Sequence, residues 1–230
     1  MKIIRFNATR QLEKIYNRGF VSSRRVQDKV RQIVDDVRGT GDDALLKYTR
    51  KFDHVKFTAK QLRVSEREIS GAYQNITPHF VSSLKIIIEN INRFYRRTLK
   101  KPWKMRGADG MALGELYSPI ESVGVYIPAG TAPLVSTVYM SVLPAKIAGV
   151  RKIVLVSPPD RSGFINPHIL VVADLLKVDE IYRAGGAQGI AALAFGTKSI
   201  PKVDKIVGPG NIYVSEAKRQ VFGYVDIEML

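Results

Sequence analysis

Residues 123–157 read VGVYIPAGTAPLVSTVYMSVLPAKIAGVRKIVLVS, and this stretch decides the fold. Val123 to Ile127 is a short apolar run of strand length, and it stops at Pro128-Ala-Gly130-Thr131-Ala-Pro133. A helical stretch follows from about Leu134 to Ala148, and a second apolar run spans Lys152 to Ser157. Strands this apolar along their whole length need cover on both faces, and a helix between them is the usual crossover of a parallel pair.

The same alternation continues to the end of the chain. A helix at Pro167 to Leu176 leads to a strand at Glu180 to Arg183, and Gly185-Gly186 opens the helical run Ala187 to Phe195. Val203 to Val207 reads as a further strand, after which Gly208-Pro-Gly210-Asn211 opens a last helix reaching about Val221. Leu113 to Tyr117 adds a strand ahead of the decisive stretch. Upstream of Pro102 the texture is helical. Val26, Val30, Ile33, Val34 and Val37 recur at helical spacing and stop at Gly39-Thr-Gly41. Asp42 or Asp43 caps a second helix through Leu46 and Tyr48, and Phe52-Asp53 begins an irregular segment. Ser65 to Tyr73 predicts a short helix, and Leu84, Ile87, Ile88 and Ile91 mark a longer one from about Pro78 that ends before Pro102. The expected fold class is α/β. A mainly helical region (1–105) precedes a Rossmann-like domain (106–230) whose parallel sheet is incomplete and flanked by helices.

Composition narrows the function classes. The 230 residues contain no Cys and three His, so a disulfide framework, a thiolate metal site and a Cys nucleophile are excluded. No stretch approaches the roughly 20 apolar residues of a membrane span, and the start, MKIIRFNATRQLEKI, lacks the apolar core of a signal peptide, so a cytoplasmic location is expected. The net charge is +15, but residues 1–118 carry 25 basic and 12 acidic side chains, against 11 and 9 in 119–230. Its densest point is Arg93 to Arg106, seven basic residues with no acid, interleaved with Phe94, Tyr95 and Trp103. A phosphate-binding surface and a solvated helix end followed by a loop both fit that run; no nucleic-acid-binding motif accompanies it, and a nucleic-acid partner is the least favoured reading.

Ligands of open parallel sheets bind beyond the carboxyl ends of the strands. Three glycine turns fall there: Tyr126-Ile-Pro128-Ala-Gly130-Thr131, Ala184-Gly185-Gly186-Ala187-Gln188 and Gly208-Pro209-Gly210-Asn211. None fits the ordinary dinucleotide or phosphate-loop pattern. Tyr126 offers a flat ring and a hydroxyl, while Gln188 and Asn211 offer amides able to read a ribose, a base or an amide edge. The structural alternative is that Asn211 caps its helix, Gln188 bonds locally and Tyr126 packs in the core. His54, His79 and His168 each read as surface or capping residues, and no complete catalytic set is present.

The turns carry a family resemblance. VGVYIPAGTAPLVSTVYMSVLPAKIAGV (123–150), RAGGAQGIAALAFGT (183–197) and VDKIVGPGNIYVSEAKRQVFG (203–223) closely resemble histidinol dehydrogenase, as do VRGTGDDALLKYTRKFD (37–53) and ADGMALGELYSPIESVGVYIP (108–128). The resemblance implies NAD-dependent oxidation of L-histidinol through histidinaldehyde to L-histidine, a homodimer, and Tyr126, Gln188 and Asn211 as the NAD-contacting positions. The family also holds zinc, and its zinc ligands and adjacent Glu-His acid/base pair follow a G-P-S-E segment. This sequence stops at Val225-Asp-Ile-Glu228-Met-Leu230 before such a segment. The expectation is therefore a truncated chain with no metal ligands and no catalytic residues of its own, inactive alone. It would be completed by a complementing C-terminal half, or stand as a non-catalytic cofactor-binding or regulatory relative.

Overall fold

A computed structural model describes residues 9–16, 22–129 and 133–229. Gly130 and Thr131, at the tip of the first glycine turn, lie outside the described residues. Five strands form one parallel sheet: β3 (Ser122–Tyr126), β4 (Lys152–Ser157), β5 (Glu180–Arg183), β6 (Lys205–Val207) and β7 (Asp226–Ile227), in the spatial order β5-β4-β3-β6-β7. The crossovers are α7 (Val135–Ala148), α8 (Pro167–Leu175), α9 (Gly186–Phe195) and α10 (Ile212–Val221). The α/β architecture read from the sequence is thus present, and the bounds of β4 and β5 coincide with the expected runs.

Burial explains the apolar runs. On β4, Val154 and Val156 face one core and Ile153 and Leu155 the other, all four without exposure. On β3 Val123 and Val125, with Ile127 just past its end, join the second core, while Gly124 and Tyr126 turn toward the first. Leu193 of α9 lies so close to Gly124 that an added Cβ would meet its Cδ1 at 2.8 Å; a glycine here lets helix and sheet approach.

The upstream helices wrap this sheet. Those preceding the sheet are α1 (Thr9–Tyr16), α2 (Arg24–Thr40), α3 (Asp42–Phe52), α4 (Ala59–Leu62), α5 (Glu66–Ala72) and α6 (Pro78–Arg96). Ser23 caps α2, whose Val30, Ile33, Val34 and Val37 bury against α9 and α10. The chain then passes the β5 edge, where Val64 N–H donates to the Ile181 carbonyl at 2.9 Å and Arg63 bridges Tyr182. Beyond it α5 packs on α8 and α6 on α7, covering the opposite face. Arg183 fastens this wrap. Buried to 4% exposure, it donates to the carbonyls of Gln61, Arg63 and Gly163 and pairs with Glu68.

Two short strands, β1 (Trp103–Arg106) and β2 (Ala112–Glu115), pair antiparallel as a separate hairpin exposed along both strands. The basic run is a helix end followed by a loop over 97–102, as one reading of the sequence had it, and only its last part, Lys104 and Arg106, lies on a strand. With every residue exposed, no alternation of burial marks Trp103–Arg106 in the sequence, and its pairing with β2 defines it. Arg93 and Arg96 are held along α6 by Asn90 and Asn92. Among the described residues no helix is long and apolar enough to cross a membrane.

Candidate functional site

The strand order places a topological switch between β3 and β6. The chain leaves β3 for β4 and β5 on one side and returns for β6 on the other, opening a crevice at the carboxyl ends. A cavity of about 840 Å³ occupies that position. Tyr126, Gln188 and Asn211 all line it, so the structure brings together three positions that lie on three different strand–helix turns.

Each is fixed by local chemistry. Tyr126 ends β3 with 3% exposure, and its hydroxyl accepts the N–H of Gly186 at 3.1 Å. Burial pushes its phenol up to about 12, against the Gly186 N–H, which acts to lower it, so the hydroxyl keeps its proton and can still donate. Gly186 has φ +59°, which favours glycine, and a Cβ there would meet Gln188 Oε1 at 2.8 Å. Gln188, at 1% exposure, has a buried Oε1 without a hydrogen-bond partner among the described residues. Asn211 does cap α10, accepting from Tyr213 N–H at 3.0 Å and Val214 N–H at 3.1 Å, and its amide nitrogen is not used by the cap. The turn ahead of it is clamped. Gly208 N–H donates to Glu228 at 2.7 Å and Lys218 Nζ donates to the Gly208 carbonyl at 3.1 Å. Gly208 itself has φ +112°, with space for a Cβ already taken by the Tyr126 carbonyl.

The upstream helices supply the facing wall, through Lys29 and Ile33 of α2, Tyr48, Lys51 and Phe52 of α3, and Asp53 just after it. Sequence reasoning missed this wall. Asp53 ends one of the stretches that carry the family resemblance, but nothing in its local pattern distinguishes it from a solvated helix end. The Oδ2 of Asp53 is buried with no partner among the described residues, and burial pushes its carboxyl up to about 6.

His54, His79 and His168 do not line the cavity. His54 and His79 are exposed, and the backbone N–H of His168 donates to Asn166 at the start of α8 while its ring meets Phe80 edge-on. Among the described residues no three His, Cys, Asp or Glu side chains gather where they could hold a metal ion.

Comparison with known proteins gives concordant matches. The family model described as Histidinol dehydrogenase matches residues 16–230. A histidinol dehydrogenase of Listeria innocua serovar 6a is 50% identical over 209 residues, 91% of this chain and 48% of that relative. One from Carboxydothermus hydrogenoformans is 45% identical over 230 residues, covering 100% of this chain and 53% of the relative. The crystal structure of histidinol dehydrogenase from Elizabethkingia anophelis superposes with a TM-score of 0.89 at 38% identity, over 96% of this chain and 51% of that one. The chain spans about half the length of the curated relatives it matches.

Proposed function

The chain belongs to the histidinol dehydrogenase family, and from that premise we propose that its cavity is the NAD site of an enzyme oxidising L-histidinol through histidinaldehyde to L-histidine. One observation carries this reading: Tyr126, Gln188 and Asn211 converge on a single cavity at the switch point of the parallel sheet. The donor set suits a dinucleotide. The unpartnered Gln188 Oε1 asks for an N–H or O–H from the occupant, the Asn211 amide can donate to it, and the Tyr126 ring and hydroxyl border the same space. NAD, when bound, supplies the hydride acceptor. The residues of this chain bind and orient it, and the packed walls exclude water around it.

The described residues do not fit a zinc ion, and no step is assigned through one. No His borders the cavity to take the alcohol proton, help that typically contributes ~10²–10⁴-fold. We therefore assign cofactor binding to these 230 residues and the acid–base chemistry to groups outside them. The exposed hairpin, with Trp103, Met105 and Leu113 each half-exposed or more, would be covered in the assembly by a second copy or a complementing segment.

Calorimetric titration of the 230-residue protein with NAD tests the reading. Binding is expected, weakened at least about tenfold by Gln188→Ala, with no histidinol-dependent reduction of NAD. Failure of the wild-type protein to bind NAD refutes the cofactor assignment, and histidinol-dependent turnover refutes the division of labour.

A further inference from the structure

We propose that Asp53 is the residue that grips a ribose diol of the dinucleotide, a role taken over from outside the sheet; the proposal rests on the cavity being the NAD site. In dinucleotide folds an acidic residue following the second strand of the unit ordinarily holds a ribose hydroxyl. Here the first strand of the unit is β3 and the second is β4, which ends at Ser157 and runs into Pro158 and Pro159. The first acid after it, Asp160, is already engaged, since its Oδ1 accepts the N–H groups of Ser162 at 2.8 Å and Phe164 at 3.0 Å. Asp160 does not line the cavity; Asp53 does.

The chemistry at Asp53 matches a diol. An ionised carboxylate only accepts hydrogen bonds, and the Oδ2 of Asp53 is buried with no donor among the described residues. Gln188 Oε1 repeats the situation on a second residue that lines the same cavity, so two acceptors without a donor among the described residues belong to its wall. Vicinal ribose hydroxyls supply two O–H groups at the spacing of one carboxylate. Keeping a carboxylate buried and unpartnered works against stability, as its raised pKa of about 6 reports, and a ligand contact is what would offset that. A phosphate on the same ribose would bring a second anion to the carboxylate.

The test measures binding to wild type and to Asp53→Asn of NAD and of the two NAD analogues lacking the 2′-hydroxyl on one ribose or the other. For the wild type, one analogue is expected to bind at least about tenfold more weakly than NAD, and Asp53→Asn is expected to lose a similar factor toward NAD. That analogue should then cost Asp53→Asn almost nothing further, the non-additivity of a direct contact, and which analogue behaves so identifies the ribose. Asp53→Asn binding NAD within about twofold of wild type overturns the proposal, as does a full additional loss with both analogues. With NAD binding by wild type and its weakening by Gln188→Ala in place, either result removes Asp53 alone. Absence of NAD binding by the wild type removes the cavity assignment and Asp53 together.

Discussion

Glu216 should behave as an acid-sensitive tie between the N-terminal segment and the helix that Asn211 opens. Its side chain on α10 has no exposure, yet its carboxylate accepts Ser22 Oγ at 2.5 Å, Gln220 Nε2 at 2.7 Å, and Arg219 Nη2 and Nε at 2.7 and 3.0 Å. Burial by itself raises the carboxyl pKa; the hydrogen bonds from Arg219, Ser22 and Gln220 outweigh it and bring the group down to about 2 from an ordinary 4.5. That shift corresponds to about 3 kcal/mol of folded-state preference for the charged form, and solvent screening of the half-exposed Arg219 reduces it to about 2 kcal/mol. The pKa is depressed, so this stabilisation is present above about pH 4.5 and is lost as pH falls toward 2. Glu216→Gln keeps the shape and removes the charge. Urea unfolding followed by circular dichroism should show it about 2 kcal/mol less stable than wild type at pH 7, with the gap nearly closed at pH 2.5. An equal gap at both pH values, or none at pH 7, refutes the reasoning, because a purely steric cost would not follow the proton.

The remaining predictions concern the cavity and, as a control, the end of α2. Gly208→Ala forces a Cβ onto the Tyr126 carbonyl and should unfold at markedly lower urea and lose NAD binding; Gly39→Ala, on α2 with nothing within 4 Å of its Cβ, should gain about 0.5–1 kcal/mol in the same assay. Asn211→Ser retains a capping oxygen while Asn211→Ala does not. Only the alanine variant should lose about 1 kcal/mol of stability, whereas both should weaken NAD binding to a similar degree by calorimetry. Asp53 carries the opposite linkage to Glu216. With its carboxyl raised to about 6, its favourable contribution is complete below the ordinary carboxylate range and disappears as pH rises through 6. In thermal melts without NAD, Asp53→Asn should therefore melt higher than wild type at pH 7.5 and the difference should vanish by pH 3.5.

Local chemistry made much of this chain legible in its sequence. Lys152–Ser157 is a strand with both faces buried, so its apolar run needed no partner to be recognised. Pro78 and Pro167 open α6 and α8 at the expected positions, where the fixed proline backbone suits a first turn, whereas Asp42 and Asp43 lie in the first turn of α3 and Gly41, not either acid, is its N-cap. Tyr126, Gln188 and Asn211 were visible because they flank glycine turns at strand ends, and the parallel sheet draws those turns to one edge. The exposed Trp103–Arg106 strand and the two-residue Asp226–Ile227 strand were not legible, since neither carries an internal pattern of burial.

Periodicity says which face of a helix is apolar but not which element will cover it. Nothing local in VQDKVRQIV states that α2 lies on α9 and α10, that Phe52 and Asp53 then close a cavity against β3, or that Ser22 meets a carboxylate 194 positions away. The sequence by itself determined the strands, crossovers and glycine turns, because these depend on neighbours within a few residues. The tertiary structure alone decided the second wall of the site, the buried Oδ2 of Asp53 and the clamps at Arg183, Glu216 and Lys218, because burial of a charge is set by what the rest of the chain packs around it.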